Sequence, residues 1–152
     1  MTQDSEQIHT DLQLDSKLDS VDRGEELVLE AARSLGFDDD EIHRIGIAVR
    51  ESLVNAVTHG NRFHGRKKVH LRVLVSPNQL TVEIGDEGAG FSREAIPDPL
   101  SAENLLRHSG RGLLMMQAFM DEFTVTPREG AGSLVRMTKK RQPGSNDGPG
   151  PA

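Results

Sequence analysis

The sequence predicts an α+β fold: a two-layer sandwich in which a mixed, mostly antiparallel sheet carries its helices on one face. Three observations lead to this prediction. Apolar residues alternate with polar ones at 69–75 and 80–84, around a Pro-Asn turn, which is the pattern of a half-buried hairpin. Apolar residues recur at helical spacing in two consecutive segments that precede this hairpin. The resulting order, β-α-α-β-β-α-β-β, does not alternate strand with helix, and it favours two segregated layers.

The first strand and the first two helices each carry a distinct signal. Alternation from Ile8 to Leu14 predicts a strand. The helical spacing from Val21 to Leu35 predicts a helix that stops at Gly36. The acidic cluster at 38–40 is expected to cap a second helix, because carboxylates bind free N–H groups and suit the positive end of the helix dipole. The core stripe of this helix runs from Ile42 to Ala56.

After the hairpin, the sequence predicts a polar lid segment, a third helix and two further strands. Residues 92–109 contain two prolines and few apolar side chains, which is typical of a mobile lid over a ligand, with a short helix from Ser101. The other predicted elements are a third helix at 113–120, a strand from Phe123, a turn at 127–132 and a last strand at 134–140.

Length and composition predict one domain. The chain has 152 residues, enough to bury an ordinary core, and no internal repeat. We expect a flexible N-terminus at 1–7, the folded domain at 8–141 and a disordered tail at 142–152, because the tail is rich in Gly and Pro and has almost no apolar side chains.

Charge and cysteine content argue against several classes of protein. The net charge of −6 disfavours a general nucleic-acid or membrane-surface binder, since cationic side chains dominate such binding. No apolar run approaches the roughly 20 residues of a membrane span, and no signal-peptide core is recognisable. The absence of cysteine excludes disulfides and thiolate metal sites, and together these features favour a cytoplasmic protein.

Asp86 is the most discriminating candidate site residue. It ends an apolar strand and is followed by Gly88 and Gly90, which would let a flat ligand lie against bare backbone. A carboxylate accepts hydrogen bonds and cannot donate, so it would select the exocyclic amine of adenine over the carbonyl of guanine.

Two further segments complete a predicted nucleotide site. Glu51 and Asn55 lie one helical turn apart and point about 40° apart at roughly 100° per residue. The apolar residues around them indicate a pocket wall rather than a solvated helix back. Gly110 and Gly112 precede an apolar helix, where free backbone N–H groups can bind phosphate.

These three segments carry a family resemblance. Glu51-Ser-Leu-Val-Asn55 with the following Ala-Val-Thr-His-Gly-Asn, then Asp86-x-Gly88-x-Gly90, then Gly110-x-Gly112, resemble the three boxes of one ATPase superfamily. Its members are gyrase, the ninety-kilodalton heat-shock protein, histidine kinases and mismatch-repair ATPases, and they share the Bergerat fold. The short length and the Asn-Ala-Val-x-His-Gly wording most resemble the anti-sigma-factor serine/threonine kinases of bacteria, over about residues 20–140.

The resemblance implies ATP and Mg²⁺ as ligands and gives each residue a role. Asp86 would bind the adenine amine, partly through a water that Ser133 also holds, and Asn55 would offer its oxygen to Mg²⁺. Glu51 would act as general base towards a serine or threonine hydroxyl of a partner. The implied partners are a sigma factor and an anti-sigma-factor antagonist, and the implied assembly is a homodimer.

One departure leaves the function open between alternatives. These kinases often have Arg directly before the Ser-Gly of the third box, where it meets the γ-phosphate, whereas this chain has His108 there and Arg107 one residue earlier. An ATP-dependent switch that captures a partner without transferring phosphate is therefore the alternative. A detached histidine-kinase domain is disfavoured, because no dimerisation helix with a phosphoacceptor histidine precedes the domain.

Overall fold

The protein is an α+β sandwich, as the sequence predicts. The computed structural model describes residues 6–88, 112–128 and 131–141, so the predicted lid, the predicted tail and residues 1–5 of the predicted N-terminal segment lie outside the described residues. The elements are, in order, β1 (Gln7–Asp15), α1 (Leu18–Leu35), α2 (Asp39–Asn55), a π-helical turn (Ala56–Gly60), β2 (Lys68–Ser76), β3 (Gln79–Gly85), α3 (Gly112–Phe119), β4 (Glu122–Pro127) and β5 (Ser133–Lys140).

One five-stranded sheet forms the first layer, in the order β1-β2-β3-β5-β4. All four neighbouring pairs in the described residues are antiparallel, so the sheet there is less mixed than predicted. Consecutive strands joined by short connections, β2–β3 and β4–β5, account for half of these pairs, and such neighbours pair antiparallel. β3 lies at the centre, and its C-terminal end therefore faces both β2 and β5.

The helices form the second layer on one face of this sheet. α1 packs on α2 and on β1, β2 and β3, whereas α3 packs on α2 and β4. Between the layers lies one apolar core, and its largest fully buried side chains are Val21, Val28, Ile45, Val49, Leu53, Val57, Val69, Leu71, Leu80, Ile84, Met116 and Met137. Burial of one such side chain contributes roughly 1.5–3 kcal/mol, so this interface supplies most of the driving force for folding.

The opposite face of the sheet is polar. Glu83 accepts a hydrogen bond from Arg136 Nη1 at 2.7 Å and has Arg72 Nη1 at 3.6 Å. Beside it, the buried hydroxyls of Thr81 and Thr138 lie 3.3 Å apart across β3 and β5. Cross-strand pairs of this kind stabilise a sheet face that none of the described helices covers.

The C-terminal end of α1 and the start of α2 follow the sequence prediction. Gly36 has φ 88° and bonds back to the carbonyls of Ala32 and Arg33, which ends α1. Asp38 accepts the Glu41 N–H at 2.8 Å and caps α2. Both predicted helix boundaries are confirmed.

The end of α2 differs from the prediction of a regular helix to Ala56. α2 ends at Asn55 and continues as a π-helical turn, in which the Asn61 N–H bonds the Ala56 carbonyl at 2.8 Å. Hydrophobic periodicity cannot detect such a change, because it alters the backbone pairing and leaves the apolar residues Ala56 and Val57 buried. Turns of this kind occur frequently at functional sites.

Candidate functional site

Asp86 lies at the end of β3, where the structure brings three predicted site residues together. Its carboxylate is 7% exposed. Oδ1 accepts the N–H groups of Gly88 at 2.9 Å and Ser133 at 3.2 Å, and Oδ2 accepts the Ser133 hydroxyl at 2.8 Å. A carboxylate offers about four acceptor positions, so one remains for a donor on a ligand.

Asp86 is packed against glycines from two neighbouring segments. A Cβ on Gly60 would overlap the carboxylate of Asp86, and a Cβ on Gly88 would overlap the carbonyl of Gly60. At Gly132, φ is +94° and a Cβ would overlap the Asp86 carbonyl oxygen. The site therefore requires a bare backbone in the turn after α2 and in the β4–β5 turn, because both approach Asp86 more closely than a side chain permits.

Arg128 fixes the β4–β5 turn to the same residue. Its Nη1 donates to the carbonyl oxygen of Asp86 at 2.9 Å and lies 3.3 Å from that of Ala131. Its backbone N–H closes the turn by donating to the Gly132 carbonyl at 3.0 Å. The stem of Arg128 lies over Gly85, where a Cβ would come within 2.9 Å of Arg128 Cδ.

Asn61 holds the other side of the turn that follows Asp86. The side chain is 1% exposed. Its Nδ2 donates to Ser16 Oγ at 2.8 Å and to the Lys68 carbonyl at 2.9 Å, and its Oδ1 accepts the Glu87 N–H at 2.7 Å. Both amide hydrogens and one oxygen lone pair are thus used, which leaves this buried amide almost fully satisfied.

Glu87 is fixed through its side chain as well. Oε2 lies 2.5 Å from His70 Nε2, and Oε1 accepts the Lys68 N–H at 3.1 Å. The hydrogen bond from His70 lowers the pKa of Glu87 below its ordinary value, the backbone bond from Lys68 adds to the effect, and the charge of Arg128 contributes further. The carboxylate is thereby favoured over the neutral acid.

Glu51 and Asn55 lie on α2, close to its C-terminal end, and both are half-buried. Neither makes a side-chain hydrogen bond in the part of the chain that the structure describes. The π-helical turn that follows Asn55 ends at Gly60, which contacts Asp86. The end of α2 is thus connected to the Asp86 site by five residues, with a carboxylate and an amide that have their hydrogen-bonding capacity available.

The remaining predicted glycines come before and after the predicted lid at 92–109 in the sequence. Gly112 is the first residue of α3, which packs on α2. Gly90, Gly110, Arg107 and His108 lie outside the described residues. Among the described residues, no group of three or more His, Asp or Glu side chains could hold a metal ion.

Sequence reasoning assigned no role to Gly60, Asn61, His70 and Arg128. Gly60 and Asn61 directly follow His59 in the first motif, so the motif itself was a signal for them. His70 and Arg128 carried none, because their contacts with Glu87 and Asp86 depend on the sheet register and on the shape of a turn.

A comparison with known protein families matches residues 14–139 to the histidine kinase-like ATPase domain. Curated relatives named anti-sigma F factor are 37% identical over 102 residues in Thermoanaerobacter sp. and 34% identical over 103 residues in Clostridium acetobutylicum. Each alignment covers 66% of this chain and 71% of the relative. The chain belongs to the anti-sigma factor branch of the histidine kinase-like ATPases.

The anti-sigma F factor of Bacillus velezensis is 31% identical to this chain over 102 residues, which cover 66% of this chain and 70% of the relative. The match to the ATPase domain includes Glu51, Asn55, Asp86 and Ser133 and implies that the domain binds ATP. No helix among the described residues is long and apolar enough to cross a membrane.

Proposed function

We propose that this member of the anti-sigma factor branch is an ATP-dependent serine/threonine protein kinase that binds a sigma factor and phosphorylates an antagonist of anti-sigma action. The observation that carries the proposal is the Asp86 site, in which three donors fix a buried carboxylate and leave one acceptor position. The family of the chain supplies the context in which this acceptor meets ATP.

Adenine recognition depends on the direction of the free acceptor position of Asp86. The exocyclic amine of adenine is a hydrogen-bond donor and can fill that position, whereas guanine presents a carbonyl oxygen, which would face a carboxylate with no hydrogen between them. Ser133 uses both its hydroxyl and its N–H on Asp86, so it fixes the side chain against rotation. Selectivity for adenine over guanine then comes from a rigidly held carboxylate with one unused acceptor position.

Magnesium fits the chemistry of Asn55. Mg²⁺ takes oxygen ligands, keeps several waters, and is usually bound through few protein groups together with substrate phosphates. Asn55 supplies one amide oxygen that no described group occupies, and it stands at the end of α2. Bound with ATP, the ion neutralises charge on the phosphates. Gly90 and the glycines of the third motif, Gly110 and Gly112, are proposed to approach the nucleotide through their backbone.

Glu51 is the proposed general base. Its carboxylate accepts the proton of a serine or threonine hydroxyl on the antagonist while that oxygen bonds to the terminal phosphorus of ATP and the bond to the leaving ADP oxygen breaks. Glu51 stands one helical turn before Asn55, and in the described part of the chain no hydrogen bond engages it. A half-buried carboxylate in this state is able to take a proton without first breaking another contact.

The same proposal covers the setting in which the protein acts. We place it in the cytoplasm, where sigma factors direct transcription, and expect a homodimer with one nucleotide site in each subunit. Its partners are proteins rather than nucleic acid, which agrees with the net charge of −6.

Phosphoryl transfer from γ-labelled ATP to each small candidate antagonist encoded near this gene tests the function. Wild type is expected to label a serine or threonine of one of them. Glu51→Gln should bind ATP as wild type does and transfer phosphate roughly 10²–10⁴-fold more slowly, because the amide cannot accept the proton. Asp40→Asn, which removes an exposed carboxylate from the start of the same helix, is the matched control.

Two results would count against parts of this proposal. A wild-type protein that retains a sigma factor only in the presence of nucleotide, yet labels no partner, would be a binding switch rather than a kinase. Transfer at the wild-type rate by Glu51→Gln would remove Glu51 from the role of base.

A further inference from the structure

The peptide group between Asp86 and Glu87 is held at both ends by side chains from different parts of the fold. Its N–H, from Glu87, donates to Asn61 Oδ1 at 2.7 Å, and its carbonyl oxygen, from Asp86, accepts from Arg128 Nη1 at 2.9 Å. Asn61 follows the π-helical turn after α2, whereas Arg128 follows β4. We propose that Asn61 and Arg128 are positioning residues that set the base selectivity of the nucleotide site by clamping this peptide.

The clamp controls the direction of the Asp86 carboxylate through the backbone. Because a peptide group is planar, fixing its two ends fixes the rotation on either side of it. The clamp thus restrains ψ of Asp86, which orients its side chain relative to the turn, and φ of Glu87, which is one of the two rotations that place the Gly88 N–H; this N–H donates to Asp86 Oδ1 at 2.9 Å. Rotation of the peptide would therefore move the acceptor position that meets the adenine amine. This inference rests on the proposed role of Asp86.

Asn61 suits the task because one short side chain must donate twice and accept once. Its Nδ2 meets two acceptors, Ser16 Oγ and the Lys68 carbonyl, and its Oδ1 meets the donor on Glu87. A carboxylate would present an oxygen to the Lys68 carbonyl oxygen, and alanine would leave a buried N–H without a partner, which is costly. The bonds to Ser16 and Lys68 anchor the amide and leave its oxygen aimed at the turn.

Arg128 clamps the other end without contributing to the core. It is half-buried, its stem covers Gly85, and its guanidinium reaches the Asp86 carbonyl. A methionine would retain most of the stem and lose the bond. Arg128→Met therefore loosens the same peptide with less risk to folding than a change at the buried Asn61.

The test compares ATP with purine riboside triphosphate, an analogue whose base lacks the exocyclic amine, by calorimetry in the presence of Mg²⁺. The ratio of the two dissociation constants measures how well Asp86 meets the amine, and it is independent of contacts to the phosphates and ribose. Wild type is expected to prefer ATP about tenfold or more, the value of a hydrogen bond to a charged group. Asn61→Ala and Arg128→Met should each reduce this ratio at least about threefold.

Thr138→Val is the matched control. It removes a buried hydroxyl from β5 on the opposite face of the sheet, where its partner is Thr81, and should leave the ratio unchanged. If Asn61→Ala does not fold, as judged by its thermal melt, Arg128→Met alone decides the test.

The possible outcomes separate this inference from the proposed function. A wild type that binds ATP with no preference over the analogue would refute the role of Asp86 and the clamp with it. A wild-type preference that persists in the folded variants, while both affinities fall equally, would refute the clamp alone and assign Asn61 and Arg128 to stability.

Discussion

Asp86→Asn tests the proposed adenine site most directly, since the substitution preserves size and removes one acceptor oxygen. Three donors converge on the native carboxylate, two on Oδ1 and one on Oδ2. The amide of the variant has a single oxygen, which can retain the N–H groups of Gly88 and Ser133, while the Ser133 hydroxyl can rotate to accept from the new NH₂. The fold should therefore survive, with a loss of about 1–3 kcal/mol for bonds to a charged group.

The affinity for ATP should fall as well, because the position that accepts the adenine amine in the proposed wild-type complex carries a donor in the variant. Losing a hydrogen bond to a charged group costs roughly 1.5–3 kcal/mol, which corresponds to about a ten- to hundredfold weaker binding of ATP. GTP binds weakly to the wild type, but its carbonyl oxygen can accept a hydrogen bond from the new NH₂, so the preference for ATP over GTP should fall in the variant.

Calorimetry with ATP and GTP, together with thermal melts, measures both effects. Glu83→Gln is the control: it removes a carboxylate from β3, three residues before Asp86, but Glu83 faces the polar side of the sheet and pairs with Arg136 and Arg72. An Asp86→Asn protein that is folded and binds ATP within about twofold of Glu83→Gln would show that Asp86 does not contact the base, and the assignment of the site would fail.

Three other outcomes follow from the same geometry. Asn55→Ala should weaken ATP binding chiefly in the presence of Mg²⁺, and equal losses with a chelator would make Asn55 structural. Gly132→Ala should lower the thermal midpoint, because φ is +94° and the Cβ meets the Asp86 carbonyl; a positive-φ position alone costs about 1 kcal/mol. The hydrogen bond from His70 lowers the pKa of Glu87. The Glu87 carboxylate therefore stabilises the fold fully above the ordinary pKa of Glu, about 4.3, and this contribution is lost as the pH falls through the lower pKa that Glu87 has in the folded protein. Glu87→Gln should therefore lower the midpoint at neutral pH, and its difference from wild type should shrink in acid; a constant difference would contradict this.

The fold could be predicted from the sequence because the positions of apolar residues in the local pattern agree with the side chains that the structure buries. The alternation in β2 and β3 and the stripe on α2 correspond to side chains that the structure buries, such as Leu71, Ile84 and Ile45. Caps were equally predictable, since Asp38 and Gly36 act on backbone groups within three or four residues of themselves. Such interactions depend only on residues close together in the chain, so they can be predicted from the sequence.

The candidate site could be predicted only in part, because its contacts join residues that are far apart in the sequence. Asp86 and Ser133 were paired by the family resemblance, whereas the bonds of Asp86 to Arg128 and of Glu87 to Asn61 and His70 arise from sheet register and turn shape. No propensity or period encodes those distances. The π-helical turn is a similar case, because a periodic pattern of apolar residues does not specify which carbonyl a given N–H selects.

The π-helical turn changes the direction in which the residues after it point, compared with a continued α-helix. Its hydrogen bond runs from Asn61 N–H to the Ala56 carbonyl, five residues back, where an α-helix would use the N–H of Gly60. Deleting one residue from 56–60 would allow ordinary helical pairing and turn everything downstream by about 100°. Gly60 would then leave the carboxylate of Asp86 while Glu51 and Asn55 stayed in place. The single additional residue therefore sets the angle between the face of α2 that carries Glu51 and Asn55 and the backbone of Gly60 that packs on Asp86.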